Sequence, residues 1–325
     1  VIIKSHDFPC QLLQTEALDR RLPSYHPQKD NVSSKAKILR AGFHGEQSLD
    51  FPLSFLPKDK YLIFHNLRIP DSSGFFQLDA LILSPYFILI IEVKNIYGNV
   101  IFDNMGQMIR QTGETEERFD NPIDQVNLQH FRLSRWLTEQ HYPPIPIEGI
   151  VVYTNPTTIL KNLTDNPHII EKVMHKEKML SKIHELSNKY PSKRFSEDQL
   201  REISAQLLSQ HTPVKTDIME KYQVKSEQLI KGIVCPCCKA ISIPYHRGKW
   251  YCDQCGAVSR TAYLNGLADY ALLINPFITN RQARSFLQIT SISTMRKLLQ
   301  KAKLKQFGTT SGSRYRLNVE TLLSE

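Results

Sequence analysis

The chain has 325 residues, 41% hydrophobic and 22% charged, with Gly and Pro near ordinary usage, which excludes a disordered polymer and leaves room for two or more cores. Its net charge of +9 and isoelectric point of about 9.1 suit a polyanionic partner without requiring one. The longest apolar run, around Phe87 to Ile91, is too short to span a bilayer, and "VIIKSHDFPCQLLQ" lacks a signal-peptide pattern, so no membrane association and a cytoplasmic location are expected.

Residues 1–36 carry Pro9, Pro23 and Pro27 among mixed polar residues and read as an N-terminal leader with one short helix near Leu12 to Arg21. Cys10 within it reads as a small, semi-buried hydrophobe. Ile38, Leu39, Phe43, Leu49 and Phe55 fit a helix over Ser34 to Phe55, although Gly42 and Gly45 weaken its middle. "YLIFHNLRI" reads as a strand, Pro70 to Gly74 as a turn, and "FFQLDALILS" and "YFILIIEVKN" as a hairpin joined through Pro85. A further strand, "GNVIF", ends near Asp103. Asn121 and Pro122 read as the cap and first position of a helix running through Trp136, and "IEGIVVYTN" as a strand covered on both faces. The order predicts an α/β core with a mixed sheet over residues 37–160. A helical linker region follows over 161–231, with Ser196 and Gln199 as a capping box and mixed Lys and Glu on a solvated face.

The hairpin carries charge where burial is expected. Side chains alternate along a strand, so Glu92 and Lys94 share a face and Val93 points into the opposite core. Antiparallel pairing across Pro85 puts Asp79 opposite Glu92, or one pair away. Two close carboxylates repel, and Lys94 supplies only one positive charge, so a hard divalent ion would complete the group and could polarise a phosphate. The alternative is a surface Glu92–Lys94 pair with Asp79 capping a turn; the residues alone leave both open.

"GEQSLDFPLSFLP", "YLIFHNLRIPDSSGFFQLDALILSPYFILIIEVKNIYGNV" and "DNPIDQVNLQHFRLSRWL" resemble, in order and spacing, the nuclease-related domain (NERD) of bacterial proteins, over roughly Ala41 to Tyr153. That family looks like part of the PD-(D/E)XK nuclease superfamily. The resemblance implies a restriction-endonuclease-like core and a Mg²⁺- or Mn²⁺-dependent nuclease, with Asp79 and Glu92 as metal ligands. It also implies that Lys94 positions water and stabilises charge at the phosphate, with Glu46 as the acidic residue of the first helix. Leu78 stands where the superfamily name has Pro. Gln125 matches the family's Pro-x-x-Gln and would contact phosphate or support the ligands, an exposed polar face being the alternative. Gln129 and Arg132, on the same helix face, read as exposed polar residues.

Cys235-x-x-Cys238 and Cys252-x-x-Cys255, thirteen residues apart, have the spacing of two metal knuckles flanking a β-hairpin, and this resembles a structural zinc ribbon over residues 232–263. Four thiolates complete the shell without His246. Lys239, Arg247, Lys249, Trp250 and Tyr251 would serve either nucleic acid or the ribbon's own small core.

From Pro276 onward four Lys and five Arg stand against two Glu, a charge of +7. Thr279 with Gln282, and Ser291 or Ser293, can cap two short helices at helix-turn-helix spacing. In the second, Met295, Leu298, Leu299 and Ala302 would pack inward, leaving Arg296, Lys297, Lys301 and Lys303 outside. "GTTSGSRYRLNV" then resembles a turn and wing strand, with Arg314 and Arg316 on one face. Residues 264–325 thus look like a winged-helix module for nucleic acid, DNA before RNA. The competing reading of the whole chain is a non-catalytic nucleic-acid-binding or scaffold protein using the ribbon and this module.

Overall fold

"ILIIEVK" is apolar on both faces until Glu92, as a central strand requires. In the computed structural model, which describes residues 1–164, 166–241, 243–309 and 312–324, it forms the strand Ile88–Lys94 inside a six-stranded mixed sheet. The sheet order is Ile2–Lys4, Leu62–Asp71, Gly74–Leu83, Ile88–Lys94, Ile147–Tyr153, Val173–His175. Leu62–Asp71, Gly74–Leu83 and Ile88–Lys94 pair antiparallel, whereas Ile147–Tyr153 lies parallel to Ile88–Lys94 and Val173–His175 parallel to Ile147–Tyr153.

Helices cover both faces. Leu133, Trp136 and Leu137 of Pro122–Glu139 and Leu200, Ile203 and Leu207 of Glu197–Gln210 pack with Phe64, Leu78 and Ile90. On the other face Leu49, Leu53 and Met179, Ile183 and Leu186 of Met179–Lys189 pack with Ile63, Ile82 and Ile91. Asn121 accepts the Ile123 amide at 3.0 Å and Pro122 opens the helix, as expected. Gly149 lets that helix lie close to the sheet, since a Cβ there would sit 2.1 Å from Val126 Cγ1.

The chain divides into two compact units, Val1–Asp7 with Arg40–Val214, and Phe8–Leu39 with Lys215–Glu325. The division corrects the reading of residues 1–36 as a leader. Ile2–Lys4 pairs beside Leu62–Asp71, and the helix Cys10–Arg21 buries Leu12, Ala17 and Leu18 in the second unit. Residues 161–231 are likewise not a linker, because Met179–Lys189 and Glu197–Gln210 build faces of the first unit and the part from Lys215 belongs to the second. The first long helix is Lys29–Gln47, followed by the short Asp50–Leu53, rather than one helix over Ser34 to Phe55. Asn99–Phe102 leaves the main sheet for a four-stranded one with Ile159–Asn162, Met108–Thr112 and Thr115–Phe119. Cys10 is exposed, not semi-buried.

In the second unit, Arg21 and Asp269 form a buried ion pair at 2.8 Å, with Arg20 also on Asp269 at 2.6 Å. Arg21 donates to the carbonyl of Gly232 at 2.7 Å, tying the helices Cys10–Arg21 and Ala262–Leu273 to the entrance of the cysteine-rich segment. The last part runs helix Ala262–Leu273, strand Phe277–Thr279, helices Asn280–Leu287 and Ile292–Lys301, then strands Lys305–Phe307 and Arg314–Arg316. Arg314–Arg316 is the middle strand of this small antiparallel sheet. The capping box Thr279–Gln282 is present, and Ser291 caps the following helix. The wing turn anticipated near residue 310 includes Thr310 and Ser311, which lie outside the described residues.

Candidate active site

Asp79, Glu92 and Lys94 come from neighbouring strands. The register pairs Ala80 with Ile91, and the next positions along it are Asp79 and Glu92. There the ladder ends. Asp79 Oδ2 instead accepts the Val93 amide at 3.0 Å, so its carboxylate replaces a backbone partner. On the neighbouring strand Asn66 has a positive φ of 51°, and regular pairing skips it between His65↔Ala80 and Leu67↔Leu78. The irregularity reverses which face each strand presents: Phe76 and Leu78 share a core with Leu81, not with Ala80. One residue on each strand, Asn66 and Asp79, is left out of the regular pairing while the register is kept, and side chains are re-aimed there.

Alternation holds on the other strand. Lys94 Nζ donates to Glu92 Oε1 at 2.7 Å, while Val93 packs toward the opposite core. The same ammonium donates to Gln125 Oε1 at 2.7 Å, so Gln125 belongs to this cluster through Lys94. Gln129 Nε2 donates to Glu92 Oε2 at 2.7 Å, and Gln129 Oε1 is buried without a hydrogen-bond partner. Gln129 is therefore part of the site rather than an exposed polar residue. Arg132 is not exposed decoration either: with Arg135 it grips Asp71, whose side chain is 1% exposed, at the hairpin turn. The spacing of Gln125, Gln129 and Arg132 on one helix face was the available signal for both.

Glu46 reaches the cluster from the end of Lys29–Gln47. Its Oε2 accepts from Asn66 Nδ2. Gly45 makes the approach possible, because a Cβ there would lie 2.7 Å from Asn95 Cβ and 2.9 Å from Thr154 Oγ1. Burial pushes the Asp79 carboxyl well above the usual range, and the charges of Glu92 and Glu46 push it further. Burial also raises Glu46, with Glu92 adding to it, against the lowering effects of Asn66 and His6. Three carboxylates thus share a desolvated space in which Lys94 is the cation in direct contact with Glu92. These are hard oxygen donors, and a divalent cation of the Mg²⁺ or Mn²⁺ type fits that chemistry. They are not drawn as tightly as the metal-like groups elsewhere among the described residues, whose donor atoms all lie within 4.8 Å of one another.

One of those groups is Cys235, Cys238, Cys252 and Cys255. Cys235 and Cys255 Sγ are 3.7 Å apart and Cys238 and Cys252 Sγ 3.4 Å, near the edge of about 3.8 Å expected for thiolates about 2.3 Å from a tetrahedral ion. Burial raises the Cys235 thiol, but the amides of Cys238 and Cys237 and the neighbouring thiols bring it down to about 6. The hairpin between the pairs is Tyr245–His246 with Lys249–Tyr251, and Trp250 is buried against Tyr263 at 5.3 Å. Trp250 therefore serves the unit's own core. The other group is His6, Asp50 and His65.

Arg296, Lys297, Lys301, Lys303, Arg314 and Arg316 are all exposed, while Met295, Leu298, Leu299, Ala302 and Tyr315 are buried, as the pattern predicted.

Residues 41–154 match the family described as nuclease-related domain, NERD, a stretch that contains Glu46, Asp79, Glu92, Lys94, Gln125 and Gln129. No curated protein and no solved structure was found to match the chain. The nuclease-related match places the first unit's mixed-sheet core in a nuclease-like fold. Among the described residues no helix is long and apolar enough to cross a membrane.

Proposed function

We propose that the protein is a metal-dependent nuclease hydrolysing phosphodiester bonds, DNA before RNA, in the cytoplasm. The observation that carries this is the buried carboxylate cluster of Asp79, Glu92 and Glu46 beside a Lys94 already held by hydrogen bonds, inside a nuclease-related domain. Asp79 and Glu92 would hold Mg²⁺ or Mn²⁺, with Glu46 beside them. When bound, the ion supplies neutralisation of the carboxylates and Lewis acidity toward a phosphate oxygen. Lys94 donates to a non-bridging oxygen of the scissile phosphate and stabilises the charge that develops there as water attacks phosphorus and the ester oxygen departs. Gln125 holds the Lys94 ammonium, and Gln129 fixes the second oxygen of Glu92. Cys235, Cys238, Cys252 and Cys255 would hold a structural Zn²⁺, a closed shell that contributes folding energy and no chemistry. Residues 264–325 would act as a winged-helix-like module whose Arg296, Lys297, Lys301, Lys303, Arg314 and Arg316 meet phosphates.

A second reading is a nucleic-acid-binding protein without cleavage. It is favoured by Glu92, both of whose oxygens are already engaged, by Lys94 and Gln129. Incubation of the purified chain with supercoiled, linear and single-stranded DNA and with RNA, in Mg²⁺ or Mn²⁺ and then in EDTA, separates the two. Cleavage that requires the metal and is lost in Asp79→Ala and Lys94→Ala supports the nuclease. Binding with no cleavage of any substrate supports the second reading.

A further inference from the structure

His6, Asp50 and His65 form a cluster that the nuclease reading does not use. His65 is fully buried, and neither of its ring nitrogens has a hydrogen-bond partner. Its Nε2 lies 3.4 Å from Asp50 Oδ1, and its ring stacks on His6 with centroids 3.9 Å apart. A fully buried imidazole without partners is costly unless a nitrogen lone pair serves another purpose.

The hydrogen bonds around His6 define what that purpose is. Asn66 Nδ2 donates to the Glu46 carboxylate, so the oxygen of the same amide is turned to His6. Asn66 Oδ1 can only accept, and it lies 2.9 Å from His6 Nδ1; that nitrogen therefore carries the proton. In neutral His6 the lone pair is then on Nε2, which faces Asp50 Oδ1 at 3.0 Å. Two acceptors face each other, so either a proton or a metal ion must lie between them. The separations of 3.0 and 3.4 Å straddle the edge of about 3.3 Å expected for ligands about 2.0–2.1 Å from a tetrahedral ion. The Nδ1–H bond to Asn66 is the outer support that metal-bound histidines commonly have.

We infer that His6, Asp50 and His65 bind a first-row transition-metal ion of the Zn²⁺ class, through Nε2 of each histidine and Oδ1 of the aspartate. Two imidazoles and one carboxylate select such an ion over Mg²⁺. Asp50 is 45% exposed, which leaves solvent access on its side of the ion. The site is separate from Asp79 and Glu92, and linked through Asn66 to Glu46.

The test counts metal and uses no nucleic acid, so its outcome is independent of nuclease activity. The full-length chain is incubated with Zn²⁺ in excess Mg²⁺, which competes at all-oxygen donors but not at imidazole, then desalted and its zinc measured by mass spectrometry. Two zinc ions per chain are expected for the wild type, one on the four cysteines. One is expected for His6→Gln and for Asp50→Asn, the latter at a half-exposed position, with both variants folded by circular dichroism. In the Co²⁺-substituted protein the thiolate-to-cobalt absorption should be unchanged in both variants. One zinc ion in the wild type, as a doubly protonated His6 would give, overturns the proposal. So does retention of two ions in both variants.

Discussion

At the residue scale, the hairpin holds two aspartates with opposite electrostatic roles. Hydrogen bonding from Arg132 holds Asp71 down to about 2, whereas burial and neighbouring carboxylates push Asp79 up. The folded state therefore binds fewer protons at Asp71 than the unfolded chain, and its stabilisation, full above pH 4, is lost as pH falls toward 2. Asp71→Asn should flatten that acid limb in denaturant titrations at stepped pH. Asp79 has the reverse sign: the folded state retains the proton longer, so this group removes stability as pH rises above the ordinary carboxylate range. Asp79→Asn keeps an acceptor for the Val93 amide but removes the charge. In EDTA at pH 7 it should melt higher by about 2–4 °C, on the order of 1 kcal/mol, while losing cleavage. A melting temperature equal to or below that of the wild type would contradict the strain assigned to this cluster. The sequence made Glu92 and Lys94 legible because a strand leaves only two faces. Gln129 was harder to read, since a polar helix face looks the same whether it meets solvent or a buried carboxylate.

At the element scale, Gly45 is where a helix must approach strand ends to deliver Glu46. In sequence it looked like a weakness in that helix; the structure makes it the point of contact with Asn95 and Thr154. Gly45→Ala should lower cleavage at least tenfold, because about 1 Å of displacement at a reacting centre is costly; an unchanged rate would remove Glu46 from the machinery. In the second unit, Asp269→Ala would leave Arg21 buried and uncompensated, and should cost about 3–5 kcal/mol in urea unfolding. The long apolar strands and the capped helices were readable from period and end signals. Met108–Thr112 and Thr115–Phe119 were not, because "MIRQT" and "TEERF" are short, polar and mostly half-buried or exposed, so they carry no apolar alternation. Val173–His175 was hidden inside a stretch with helical spacing, and only its place beside Ile147–Tyr153 makes it a strand.

At the scale of the whole molecule, each unit holds one of the two tryptophans, Trp136 in the sheet unit and Trp250 beside the cysteines. Stripping thiolate-bound zinc with a strong chelator should therefore shift the fluorescence of Trp136→Phe protein and leave that of Trp250→Phe protein unchanged. The reverse pattern would show that the four cysteines do not stabilise their own unit. Joint action of Asp79, Glu92 and Lys94 on a phosphodiester is read out by the cleavage rate at saturating Mg²⁺. Wild-type protein should cut, and Asp79→Asn and Lys94→Ala should each cut at least about a hundredfold more slowly while remaining folded by circular dichroism. Cleavage at the wild-type rate in either variant would rule out a shared role for these three side chains.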